Sequence, residues 1–229
     1  MSKVKLKHSS GNSMSIAAPA TNPASDLELK LPATIGSAGQ ALKNSSTPGT
    51  LEFGAAGLFS SYAIIEDQKA HDTHAGTFSQ DAWRTRELNT EVTDPDGIII
   101  GFSGKATSGN LKSNGTNYTT QPLGNRFELA AGTYLVQWSA PCRTGYHHQT
   151  RLYNIADSSV VRHGSSEYVN DVNVQTTSTG FARFTISGNK DFELQHYTNN
   201  TVASTGFGTA ANSDGGLEHY AMVIIYKEV

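Results

Sequence analysis

The densest group of chemically capable side chains lies in HHQTRLYNIADSSVVRHG, residues 147–164, which combines histidine, arginine, aspartate and serine over a short distance. Such a set suits a metal centre, or a histidine-activated nucleophile, if the side chains converge. Strand alternation opposes convergence. With successive side chains on opposite faces, His147, Gln149, Arg151 and Tyr153 point one way and His148, Thr150, Leu152 and Asn154 the other. The adjacent histidines then cannot ligate one metal. The serines fall in IADSS, whose Asp and Ser residues suit a turn. The stretch predicts a β-hairpin with polar faces, not a catalytic centre.

Other candidates are weaker. His71 and His74 in HDTH form an i, i+3 pair in a polar loop, two ligands of a set that other segments would have to complete. STGFGTAANSDGG is rich in glycine but lacks the lysine of a phosphate-binding loop and precedes a strand. LPATIG is not a sortase signal, since no membrane segment follows it. Arg84 and Arg86 in WRTRELN lie i, i+2 on one strand face, a spacing for ion pairs or an acidic glycan. Tyr118, Tyr146, Tyr168 and Tyr197 have rings suited to stacking on sugars. Cys142 follows Pro141 in an apolar stretch and reads as a buried, inert thiol. The expected catalytic, metal and cofactor sets are all empty, and the chain is not expected to be an enzyme.

Positioning these residues requires many short strands. Of 229 residues 37% are hydrophobic and 16% charged, with the balance in Gly, Ser, Thr and Asn. Turn signals such as AAG, IADSS, STG and SGNKD recur between apolar-alternating runs, and no window has helical periodicity. The expected class is all-β, an antiparallel sandwich. In TYLVQWSA, Tyr134, Val136 and Trp138 share one face, with Leu135, Gln137 and Ser139 opposite. In the last strand both faces are apolar: Tyr220, Met222, Ile224 and Tyr226 on one, Ala221, Val223 and Ile225 on the other. The second face calls for a cover, and another subunit is the best candidate.

A formal net charge of −3 offers no basic face for nucleic acid. No segment has the roughly 20 apolar residues of a membrane span, and the first residues lack a secretory apolar run. With one cysteine, no intrachain disulfide forms. NGT, NYT and NNT match the glycosylation pattern, but without an export signal the match is expected to be empty. Residues 1–57 differ in texture, with turn dipeptides and a single aromatic, Phe53. They predict an extended anchoring arm with little regular structure, gripping through Leu27, Leu29, Leu31, Leu51 and Phe53. Residues 58–229 then form the head.

Several ordered phrases from residue 59 onward resemble a known family. GTFSQDAWRTRELNTEV, FELAAGTYLVQWSAP, HHQTRLYNIADSSVV, FTISGNKDFELQH, TGFGTAAN and EHYAMVIIYKE are similar to the C-terminal domain of bacteriophage tail-fibre-like virion proteins. That domain is similar in layout to the C1q and tumour-necrosis-factor jelly roll. The resemblance implies a jelly-roll head and a homotrimer, with Tyr220, Met222, Ile224 and Tyr226 along the axis. Against the family, the tract at about residues 101–126 is elongated like an insertion; Asn114, Asn117 and Tyr118 on it are the expected surface-recognition residues. LELKLPATIGSAGQALKNSSTPGTLEFG resembles the short repeats that precede heads in phage fibres. One such unit favours a short spike over a long shaft.

The expected function is that of a virion structural protein assembled in the bacterial cytoplasm and exposed on the particle. Its partners would be tail or capsid proteins through the arm, and a host-surface glycan or protein through the head, with no nucleic acid and no membrane insertion. The alternatives are a capsid decoration or cement protein and, more distantly, a soluble lectin-like module.

Overall fold

The computed structural model describes residues 3–7, 10–11, 13–17, 20–21, 23–25, 27–103 and 125–228. Asn114, Asn117, Tyr118 and most of the expected insertion lie outside them. The chain divides into two compact units, residues 1–56 and 57–229.

The first unit holds little regular structure. Strands β1 (Lys3–Lys7) and β2 (Ser13–Ala17) form one hairpin; β3 (Gln40–Asn44) and β4 (Leu51–Ala55) form another. The alternating LELKL does not become a full strand. Only Lys30 bridges, in parallel to Thr50, with its N–H donating to Gly49 O and its carbonyl accepting from Leu51 N at 2.8 Å each.

The second unit is all-β. Its strands are β5 (Phe59–Lys69), β6 (Arg84–Thr85), β7 (Thr90–Thr93), β8 (Ile99–Ser103), β9 (Arg126–Leu129), β10 (Gly132–Arg143), β11 (Tyr146–Asn154), β12 (Ser159–Val169), β13 (Gln175–Ile186), β14 (Lys190–Thr198) and β15 (Glu218–Glu228). They build two antiparallel sheets in the orders β13-β10-β15-β5-β7 and β12-β11-β14-β9-β8, with β6 added beside β14. The first long strand, β5, pairs with the last, β15, while β9 to β10, β12 to β13 and β13 to β14 pass between sheets. This order is a jelly roll.

The core follows from period-2 patterning. Tyr134, Val136, Trp138 and Ala140 of β10 point inward beside Ala63 and Ile65 of β5 and Ala221, Val223 and Ile225 of β15. Phe127, Leu129, Leu152, Phe192 and Leu194 meet them from the opposite sheet. At the β12–β13 edge the sheets are tied by hydrogen bonds. Trp138 Nε1 donates to Thr150 Oγ1 at 2.8 Å, Thr150 Oγ1 lies 2.9 Å from Ser178 Oγ, and Ser178 Oγ donates to Ser165 O at 2.7 Å. The Trp138 ring occupies the space above Gly180, where a Cβ would come 2.2 Å from Cζ2.

Residues 147–164 form the expected hairpin, β11 paired with β12. Asn154 shapes the turn, its Oδ1 accepting from Asp157 N at 3.0 Å and its Nδ2 donating to Asp157 Oδ2 at 2.9 Å.

Candidate functional site

Two places in the head concentrate features that need explanation: the outer face of the β10–β15 sheet and a buried cationic cluster at one end of the sandwich.

The strand register puts the outer face in rows. Tyr62 of β5, Tyr226 of β15 and Leu135 of β10 lie side by side, followed by Ile64, Ile224 and Gln137. Met222 pairs with Ser139 one step further, and Phe181 of β13 sits opposite Gln137. Met222, Ile224 and Tyr226 are half-buried, while Tyr62 is 44% and Phe181 57% exposed. The Phe59 ring rests on Tyr226 with centroids 4.9 Å apart. A groove of about 620 Å³ opens on this face, lined by Gln137, Ser139, Arg162, Phe181, Met222 and Ile224 among others. The Arg162 guanidinium stands 5.1 Å from the Phe181 ring. The surface is apolar at its centre and carries a cation at one side.

Tyr220 belongs to the same alternation but has a different environment. A bulge between His219 and Met222 interrupts the pairing with β5. Tyr220 is 7% exposed, its hydroxyl donates to Thr73 O at 2.8 Å, and its ring packs on Gly208. Its cover is its own chain.

The arm residues divide similarly. Leu27, Leu29 and Leu31 are 77%, 62% and 73% exposed. Leu51 and Phe53 are half-buried on β4, and the Phe53 ring fills the space beside Gly36.

The pair Arg84 and Arg86 is not an ion-pairing pair on one face. Arg84 is exposed and donates to Ser79 O, whereas Arg86 is fully buried. Strand β6 spans two residues, so alternation does not extend over the pair. Arg86 donates through Nη1 to Pro141 O at 3.1 Å and Nη2 to Phe207 O at 2.8 Å, and its guanidinium lies 4.3 Å from the Phe207 ring. Burial lowers its pKa to about 10, with the charge of Asp67 opposing the shift, so it remains a cation at neutral pH.

His148 and His196 complete this cluster. Sequence alternation separates His148 from His147; the structure turns His148 inward and adds His196 from β14, with His148 Nδ1 3.0 Å from His196 Nε2. His148 Nε2 lies 2.7 Å from Thr176 Oγ1. His196 is wholly buried, its ring tilted against Phe78 at 4.8 Å; His148 is 2% exposed. Burial, reinforced by the Arg86 charge, pushes His148 down to about 4 and His196 well below its ordinary value. Both rings are neutral at pH 7. Cys142 is buried nearby, and burial pushes its thiol up to about 11, which leaves it protonated and unreactive. The arrangement buries one cation in the company of two neutral imidazoles and a protonated thiol.

The remaining candidates are dispersed. His147 packs against Tyr168 at 4.6 Å, and His163 lies near Trp83 at 5.7 Å. His74 Nδ1 accepts from Ala210 N at 3.0 Å, and among the described residues no three His, Cys, Asp or Glu side chains gather as for a metal. Tyr146 and Tyr168 are exposed, at 43% and 54%. Among the described residues no helix is long and apolar enough to cross a membrane.

No family model matches the chain, and no curated protein matches it. Among solved structures it is similar to the globular domain of zebrafish complement 1qA protein, at 10% identity and TM-score 0.39, over 74% of this chain and 97% of that one. It is also similar to murine APRIL at pH 8.5, at 7% identity and TM-score 0.39, over 73% and 99%. A second murine APRIL structure, at pH 8.0, gives 6% identity and TM-score 0.39 over 72% and 98%.

Proposed function

We propose that this chain is a binding and structural protein of a bacteriophage particle, a homotrimer whose head packs through the outer face of the β10–β15 sheet. The observation that carries the trimer is that face itself. Among the described residues of the head, Tyr62, Ile64, Phe181, Met222, Ile224 and Tyr226 form an apolar surface that stays partly open. A surface of this kind on an antiparallel sheet suits a subunit interface, and closed symmetry lets each copy cover the next.

The particle assignment is supported by the likeness of the ordered head phrases, and of the LELKLPATIG…LEFG segment, to phage fibre proteins. The exposed Leu27, Leu29 and Leu31 suit an arm that docks on tail or capsid proteins. The head then faces solvent, where repeated weak contacts to a host-surface glycan or protein add up by avidity. Its work is attachment, not catalysis.

Light scattering on the full chain tests the assembly. The expected mass is about three times 24.4 kDa, retained when the chain is shortened to begin at Leu58. A folded monomer would remove the trimer. Adhesion of the shortened head to host cells separates receptor binding from a purely shell-stabilising role, in which the isolated head does not adhere.

A further inference from the structure

The proposed function makes no use of the Arg86–His196–His148 cluster, although burying it is costly. Arg86 is 0% exposed, and its guanidinium donates to the carbonyls of Pro141 and Phe207. The charges of Asp67 and Glu87 favour its cation, and both carboxylates are themselves joined to Lys69, at 2.9 and 2.7 Å. Arg86 Nε and His196 Nδ1 are buried without a hydrogen-bond partner among the described residues. Such groups are expensive to keep in a low-dielectric interior.

The cluster is also a fastening. Phe78 stacks on Phe207 at 4.4 Å and packs at a tilt against His196 at 4.8 Å, so its ring bridges the cluster to two loop segments. Those segments, 75–78 and 202–208, pair mainly with each other. Phe78 and Val202 exchange N–H···O bonds of 3.0 Å, Gly76 N donates to Ser204 O, Phe207 N to Gly76 O, and Ala75 N to Gly208 O. Arg86 grips the Phe207 carbonyl and ring from beneath.

We propose that Arg86, His196 and His148 form an acid-sensitive latch. With both imidazoles neutral it holds segments 75–78 and 202–208 on the end of the sandwich, and acid releases those segments while the two sheets stay packed. The geometry supplies the reason. Two neutral rings 3.0 Å apart share one hydrogen between Nδ1 and Nε2. Adding one proton puts an imidazolium near the buried Arg86 cation, and adding two points N–H groups at each other. Relief comes from admitting water, and the loop pair is the nearest movable wall.

The sign follows from linkage. Because burial lowers both folded-state values, the unfolded chain binds protons first as pH falls below about 6.5. The stabilisation is present above that pH and is lost toward about 4, the His148 value. Neighbouring charges modify the window without reversing it. Glu167 favours charging of His148, whereas Arg86 opposes it. Glu218 accepts from Ala211, Asn212 and Asp72 backbone N–H groups, which hold its carboxyl below the usual range, so it titrates at lower pH. His71 and His74 lie in the adjoining loop, where His74 Nδ1 accepts from Ala210 N, so a chain altered at both is the control.

The test is hydrogen exchange of the full chain from pH 7.5 to 4.5, read by mass spectrometry and corrected for the intrinsic pH dependence. Peptides covering 75–78 and 202–208 should lose at least tenfold of their protection, while those covering 134–140 and 221–225 keep theirs. In His148→Gln this pH dependence should fall at least threefold, His196 supplying the remainder; in a His71→Gln/His74→Gln chain it should persist. Simultaneous loss across the whole head, unchanged dependence in His148→Gln, or its disappearance in His71→Gln/His74→Gln would each overturn the latch. Should His148→Gln not fold, ring-nitrogen NMR of the unaltered chain decides. His148 or His196 must titrate together with segment opening, and rings still neutral while the segments open would refute the idea. Light scattering on the same samples reads the oligomer separately, because the latch lies within one chain and stands whether or not trimers form.

Discussion

A glycine and a tryptophan at the β12–β13 edge illustrate how single residues set the head. Trp138 reaches across the core to Thr150 with its indole N–H, and Gly180 leaves room for its ring. Gly180→Ala would place a methyl group 2.2 Å from Trp138 Cζ2, and neither partner has an easy retreat. Overpacking of this kind costs about 1–3 kcal/mol. The expected outcome is a lower urea midpoint with an unchanged slope; an unaltered midpoint would show that the ring shifts freely. The same scale shows what residue patterning conveys. That His147 and His148 face opposite sides was legible from alternation alone. That His148 meets His196 was not, because the contact depends on which strands become neighbours and in what register. Arg86 was legible as a cation but not as a buried one. It lies just past a two-residue strand that pairs with β14, its own N–H donating to Leu194 O, so no strand alternation sets its side.

At the level of elements, β15 carries the argument. Its inner residues Ala221, Val223 and Ile225 are completely buried, while Met222, Ile224 and Tyr226 stay partly open on the other face. Both faces were visible as apolar in the sequence. The bulge before Met222 was not, and it places Tyr220 under its own loops, whereas Met222, Ile224 and Tyr226 stay on the open sheet face. Ile224→Asp puts a carboxylate in the middle of that face without touching the core. The expected result is a fall in light-scattering mass to that of one chain, with far-ultraviolet circular dichroism unchanged. A trimer that survives this substitution would move the interface elsewhere.

For the molecule as a whole, the division at residues 56 and 57 separates two regimes of stability. Among its described residues the first unit has two short hairpins, and isolated hairpins are marginal in water. The second has two sheets enclosing one continuous core. Limited trypsin digestion of the isolated protein should therefore cut first at arm sites such as Lys30 and Lys43, leaving a resistant head that mass spectrometry identifies. Equal rates of cleavage in both units would mean that the arm is as well protected as the head.

Period-2 alternation, turn residues and the absence of helical spacing determined the all-β class, the hairpin at residues 147–164 and the inward row Tyr134, Val136 and Trp138. These are local properties, since a strand's two faces are set by its own residues. Tertiary structure decided which strands neighbour each other, where β15 slips by a bulge, and that Arg86, His148 and His196 share one dry end of the sandwich. Those contacts join residues tens of positions apart, and their energies depend on burial, which no local pattern specifies.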